Sequence, residues 1–294
     1  MTADGHLPLQ TDLRASARDL TELGLERHHH ELELFGFTVI RDALDPGSIA
    51  VLTNQLLSLA AEDDGRPVDV VAGETHRNRT EEVVLLLARG GEGFVRLALE
   101  PRALALATSL LGRSCMLSSL TGYVKGPGSD GLGVHADTAF VPDPLPPYAQ
   151  LVNVNYCLTD YTVDDGCLTM VPGSHRYCHR PRHAHTDVDT EPIETPAGSA
   201  IVFHGNTWHG ARPRRNPGVR LTLSVLYSRM YMRPQESYAD LLDDAMFDRH
   251  PARLRQLVGR ELPTGWGSAA EAEEIFRRRK ARSGEYYRTR SVHG

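Results

Sequence analysis

GLGVHADTAF, residues 131–140, sets an imidazole and a carboxylate two positions apart in a run of Gly, Ala, Val and Phe. In an extended strand alternate side chains share a face, so His135 and Asp137 are expected to project together while Ala136 points away. One short segment then offers a metal ion two ligands. On either side, strand-like runs alternate with turn signals: CMLSSLTGYVK (115–125), GPGSDG (126–131), LVNVNYCLTD (151–160), CLTMVPGSH (167–175), PIETPAGSAIVFHG (192–205) and VRLTLSVLYSR (219–229). Several short strands at this spacing predict a sandwich or jelly-roll barrel.

The flanks read differently. Residues 11–34 have helical periodicity, FGFTVIRD (35–42) holds a short strand, and Asp45-Pro46 opens a helix through IAVLTNQLLSLAAE (49–62). Residues 92–112 read as a further helix ending at Gly112, and YADLLDDAMF (238–247) and PARLRQLV (251–258) are helical again. The tail EIFRRRKARSGEYYRTR (274–290) reads as a solvated end. The expectation is one domain over residues 1–294, mainly β with flanking α-helices, the helices buttressing a jelly roll.

A net charge of −6 gives no general attraction to nucleic acid. No apolar run approaches the roughly 20 residues of a membrane-spanning helix, and MTADGHLPLQTDLR lacks the regions of a secretory signal, so a cytoplasmic protein without membrane contact is expected. Cys115, Cys157, Cys167 and Cys178 form no CxxC pair and read as reduced packing residues. His28, His29 and His30 lie in a polar helical stretch and read as a solvated face rather than a ligand set.

A third ligand has six histidine candidates: His175, His179, His183, His185, His204 and His209. His209 is the best placed, just after a strand and before VRLTLSVLYS, with His204 its main competitor and His175 a residue that orders the PGSHR turn. Two histidines and one carboxylate make the facial triad typical of non-haem Fe(II), with positions left open for co-substrate and oxygen. Zinc is more often held in a closed tetrahedron or with one water site. Arg220, eleven residues after His209, starts an apolar strand where an unpaired guanidinium is costly to bury. Its planar fork suits a carboxylate such as the distal one of 2-oxoglutarate, and Thr222 shares its face.

GVHADTAF, DDGCLTMVPGSHR and FHGNTWHGARPRRNPGVR together resemble the phytanoyl-CoA dioxygenase family of Fe(II)- and 2-oxoglutarate-dependent oxygenases, and the likeness spans roughly residues 33–230. The resemblance implies a double-stranded β-helix (jelly roll, cupin-like), iron held by His135, Asp137 and His209, and 2-oxoglutarate anchored by Arg220. It further points to Asn155 and Thr121 as co-substrate contacts. The related halogenases lack this carboxylate, so the resemblance implies that Asp137 favours hydroxylation or another oxidation over halogenation.

The activity so implied is oxidation of an unactivated C–H bond of a small molecule by O2, with 2-oxoglutarate converted to succinate and CO2. Desaturation, cyclisation or epimerisation on the same scaffold is the alternative, and a catalytically idle jelly-roll binding protein is the rival from another class. A zinc hydrolase is disfavoured because no second base accompanies the triad. Nothing reads as a coenzyme A site, and a composition rich in Arg, Ala, Gly and Leu suggests a GC-rich bacterial source, so a natural-product intermediate is the expected substrate. Residues 141–149 and 176–190 are expected to cap the barrel mouth.

Overall fold

The structure, a computed structural model, describes residues 8–73, 80–181, 189–260, 268–270 and 273. Two helices, α1 (Pro8–Glu22) and α2 (Glu26–Phe35), lead into strand β1 (Phe37–Ile40) and the long helix α3 (Pro46–Asp64). Strand β2 (Thr80–Val83) and helices α4 (Leu86–Arg89), α5 (Glu92–Ala98) and α6 (Pro101–Leu111) follow. The β-rich half contains β3 (Met116–Lys125), β4 (Leu132–His135), β5 (Leu151–Cys157), β6 (Leu168–Met170), β7 (Glu191–Pro192), β8 (Ala200–His204), β9 (His209–Ala211) and β10 (Arg220–Ser228). Short helices α7 (Tyr238–Leu241), α8 (Asp244–Arg249) and α9 (Ala252–Leu257) come last.

The strands form two antiparallel sheets, ordered β1-β8-β5-β10-β3-β2 and β4-β9-β6-β7. Sequence-distant strands thus become neighbours, as in the double-stranded β-helix expected from the sequence. The larger sheet has two chemically distinct faces. Val152, Val154 and Tyr156 of β5, with Leu221, Leu223, Val225 and Tyr227 of β10, join Leu52, Leu56, Leu86 and Phe94 in one buried cluster beneath the helices. Each such side chain, fully buried, contributes about 1.5–3 kcal/mol. Gly122 on β3 permits this closeness: a Cβ there would lie 2.2 Å from the Leu56 side chain.

Strand alternation sends the intervening residues inward. Asn153 and Asn155, Arg220, Thr222 and Ser224, and their partners Tyr123 and Lys125 therefore face the smaller sheet. Cys157, Met170, Ile201 and Phe203 fill the remainder of that interior.

The helix boundaries refine the sequence reading. The stretch 11–34 breaks at Gly24, in a left-handed conformation that glycine adopts freely, and 92–112 breaks before Pro101, where Glu100 caps α6 by accepting from the Ala103 N–H at 2.8 Å. Asp45 caps α3, its side chain accepting from Ser48 N at 3.0 Å. The histidine run is less solvated than expected: His28 Nδ1 lies 2.8 Å from Thr38 Oγ1 and His29 Nδ1 3.2 Å from Ser109 Oγ. The four cysteines are free thiols, three of them buried. Among the described residues no helix is long and apolar enough to cross a membrane. The basic tail read over residues 274–290 lies outside the described residues.

Candidate metal centre

β4 and β9 are adjacent antiparallel strands in the smaller sheet, and His135 and His209 are paired across them, with ring centroids 4.2 Å apart. The sequence predicted Asp137 to continue the strand. Instead β4 ends at His135, the chain bends, and the Asp137 N–H donates to Gly205 O at 3.0 Å. The bend still delivers the carboxylate to the same place: Asp137 Oδ1 is 3.7 Å from His135 Nε2 and 3.5 Å from His209 Nε2. One ligand atom from each residue lies within 4.8 Å of the other two, a separation that admits one shared metal ion.

The protonation pattern suits a cation. His135 Nδ1 lies 3.0 Å from Gly133 O and His209 Nδ1 lies 2.9 Å from Thr207 O. A carbonyl only accepts, so each Nδ1 carries the proton and each Nε2 lone pair is left to face Asp137. Burial pushes the His209 imidazole below its usual pKa, against the opposing pull of Asp137, which further favours the neutral ligand form. Asp137 is oriented in turn by Asn153, whose Nδ2 donates to Oδ2 at 3.1 Å.

These residues line a cavity of about 310 Å³ that also contains Asn155, Thr222, Ser224, Arg220 and Lys125. Arg220 is buried, its guanidinium 4.8 Å from the Tyr161 ring centroid, and its Nη1 donates to Gly166 O. Its Nε is buried and has no hydrogen-bond partner among the described residues. Lys125, directly opposite on β3, donates to Arg212 O at 3.0 Å, and burial together with Arg220 and Arg214 pushes its pKa down to about 8. Two buried cations with carbonyl partners leave this wall short of negative charge, a good match for a carboxylate of the co-substrate. A larger cavity of about 780 Å³ lies by α3 and α5, with none of the triad in its lining. Chemistry rather than size locates the site.

The other sequence candidates separate cleanly. Thr222 lines the cavity with its hydroxyl bonded to Tyr161 Oη, and Thr121 faces inward opposite Ser224 but is not part of the cavity lining. Phe203 packs 4.6 Å from the His209 ring, so alternation turns His204 to the other side of β8. There His204 accepts from Asn206 N at 3.0 Å, stands 5.3 Å from the His175 ring, and is pushed down to about pKa 3 by burial, with His175 and Arg229 adding to the shift. His175 Nε2 lies 3.3 Å from Glu33 O, consistent with a turn-ordering role, and His179 Nδ1 lies 2.9 Å from Arg180 O. His183 and His185 lie outside the described residues. Asn153, which the sequence alone gave no reason to single out beyond its two-residue offset from Asn155, donates to Asp137. Lys125 and Tyr161 were not singled out, although Lys125, like Arg220, is a cation in an apolar strand.

A jelly roll whose mouth holds two histidines and a carboxylate, backed by a buried arginine, defines the non-haem iron, 2-oxoglutarate-dependent oxygenases. Phytanoyl-CoA dioxygenase (PhyH) is the family whose sequence pattern matches residues 32–222, and the chain belongs to it. The dioxygenase af480 of Aspergillus fumigatus is 30% identical over 251 residues, covering 83% of this chain and 80% of its own. The ectoine dioxygenase of Halomonas elongata is 29% identical over 235 residues, covering 69% and 70%. Among solved structures, the non-haem α-ketoglutarate-dependent epimerase SnoN from nogalamycin biosynthesis superposes with a TM-score of 0.59 at 25% identity, covering 73% of this chain and 87% of its own. SnoN has also been solved with Fe3+, α-ketoglutarate and nogalamycin RO. Iron and 2-oxoglutarate are accordingly the cofactor and co-substrate of this chain's family, and the residues present fit both.

Proposed function

We propose that this chain is a hydroxylase that inserts one oxygen atom of O2 into an unactivated C–H bond of a small molecule, with His135, Asp137 and His209 holding Fe(II) and Arg220 anchoring 2-oxoglutarate. The observation that carries this reading is the convergence of two Nε2 lone pairs and one carboxylate oxygen within 4.8 Å, in the cavity that also holds a buried guanidinium with no carboxylate partner among the described residues. When bound, Fe(II) supplies activation of O2 coupled to conversion of 2-oxoglutarate to succinate and CO2.

The chain's own residues do the rest. Arg220 and Lys125 neutralise the distal carboxylate, Thr222 adds a hydroxyl beside Arg220, and Asn155 lines the path between them and the triad. Phe203 shields one side of His209 from water. Asp137 fills the position that a halide would need, which supports oxygen insertion over halogenation. A natural-product intermediate remains the substrate class we favour, in keeping with the nogalamycin-pathway context of SnoN.

The 25% identity to an epimerase supports a second reading, inversion of a C–H stereocentre by the same residues. The test is succinate release in the presence of Fe(II), ascorbate and a panel of candidate substrates, with product mass as the second readout. Hydroxylation gives a product heavier by one oxygen atom, epimerisation an unchanged mass, and desaturation or cyclisation a loss of two hydrogens. An idle binding protein releases no succinate with any of them.

A further inference from the structure

Of the two carboxylate oxygens of Asp137, Oδ1 is the one that lies 3.7 Å from His135 Nε2 and 3.5 Å from His209 Nε2. Oδ2 is taken by Asn153 Nδ2 at 3.1 Å. The Asn153 amide is itself held from the other end, where Oδ1 accepts from Asn155 Nδ2 at 2.9 Å and from Ser224 Oγ at 2.9 Å. We propose that Asn153 is a positioning residue that restricts Asp137 to one metal-binding oxygen, and that Asn155 and Ser224 fix which way the amide points. The inference rests on the reading of His135, Asp137 and His209 as metal ligands.

Donor and acceptor inventory makes the orientation unique. Flipping the Asn153 amide would set its carbonyl against the Asp137 carboxylate, which only accepts, and its NH2 against the Asn155 NH2, losing both of those hydrogen bonds and leaving only the Ser224 hydroxyl able to reverse its role. The two anchoring groups come from paired strands, Ser224 of β10 lying opposite Asn155 of β5, so strand register is transmitted to the carboxylate through a three-bond relay. The relay ends in a neutral donor. An arginine or lysine in the place of Asn153 would also bind Oδ2, but its charge would offset that of Asp137 and weaken the hold on a cation. With Oδ2 engaged by Asn153, Asp137 would favour binding a metal through Oδ1 alone, which would leave more of the ion's positions for co-substrate and O2.

The test is Co(II) affinity of the full chain, measured by titration under conditions where cobalt is not oxidised, alongside the melting temperature of each metal-free variant. Asn153→Leu, similar in size and unable to donate, is expected to weaken Co(II) binding by about 10–100-fold, the range seen when a partner of a metal ligand is removed. Ser224→Ala, which removes one of two anchors, is expected to weaken it by about 3–10-fold. Asp137→Ala should abolish tight binding. A metal affinity within twofold of wild type in folded Asn153→Leu, with Asp137→Ala still defective, overturns the positioning role and leaves the triad standing. Unchanged affinity in Asp137→Ala overturns the triad itself. If Asn153→Leu does not fold, Ser224→Ala decides the matter, and wild-type Co(II) affinity there overturns the proposal.

Discussion

Arg220 on β10 and Lys125 on β3 are direct cross-strand partners, and among the described residues their hydrogen bonds go to the carbonyl oxygens of Gly166 and Arg212. The groups that act on Lys125 are Arg220 and Arg214, which join burial in lowering its pKa to about 8, and Asp130 and Cys167, which oppose it. Lys125 is therefore charged below about pH 8 and loses its proton above it, while a carboxylate bound alongside raises the pKa again. Affinity of the metal-loaded protein for 2-oxoglutarate should fall as pH rises through about 8, and binding near that pH should take up a proton. Calorimetry in buffers of differing ionisation enthalpy reads that proton directly. Lys125→Met should abolish the uptake and flatten the pH dependence; a wild-type affinity that does not change between about pH 7 and pH 9 contradicts the assignment.

Removing the guanidinium should cost more than removing the ammonium. Loss of a buried, hydrogen-bonded charge partner typically costs about 2–5 kcal/mol. Arg220→Leu is thus expected to raise the 2-oxoglutarate requirement by about 30-fold or more while metal affinity stays near wild type. An unaltered requirement in a folded Arg220→Leu protein would show that the carboxylate is held elsewhere.

The two histidines of the β8–β9 segment should behave oppositely. His209→Ala is expected to eliminate Fe(II)-dependent succinate formation, because His209 is one of the three residues proposed to hold iron, its Nε2 lying 3.5 Å from Asp137 Oδ1. His204 faces away, toward His175, so His204→Ala should retain measurable turnover and show its defect as a lower melting temperature. A dead His204→Ala beside an active His209→Ala reverses the ligand assignment.

Gly210 of β9 packs closely against the backbone of β4. A Cβ at this position would lie 2.5 Å from Leu132 O, a backbone atom that cannot swing aside. Gly210→Ala should therefore push β9 from β4, spread His135 from His209 and weaken Co(II) binding by at least tenfold, roughly the effect of disturbing a ligand's support. Equal metal affinity in Gly210→Ala and wild type would show that the sheet absorbs the methyl without moving the site.

The site was more legible in the sequence than the scaffold around it. His135, Asp137, His209 and Arg220 could be singled out as candidates because a metal site and a carboxylate anchor call for particular side chains at particular spacings, and the structure brings all four to one cavity. Asp137 came out right in position for a partly wrong reason: the strand stops at His135, and a bend held by Gly205 aims the carboxylate. Strands β2 and β9 carried too short a pattern to read, since three or four residues contain at most two alternations. Helix breaks at Gly24 and Pro101 were hidden inside long apolar periodicities. The placement of Asn153 beside Asp137 and of Lys125 beside Arg220 involves partners 16 and 95 residues away, and becomes visible only when the strands pair.

The most direct measurement of the central claim is an anaerobic titration of the Fe(II)-loaded protein with 2-oxoglutarate, following the visible charge-transfer absorption that arises when the keto acid chelates iron. Wild type should develop the band saturably at one equivalent of iron per chain, and Asp137→Gly should show weaker iron binding together with a band that shifts on addition of chloride or azide, as the vacated position admits an anion. Absence of any such band in wild type, or an Asp137→Gly protein that matches wild type in iron affinity and is indifferent to chloride and azide, would contradict the assignment of His135, Asp137 and His209 as the iron site.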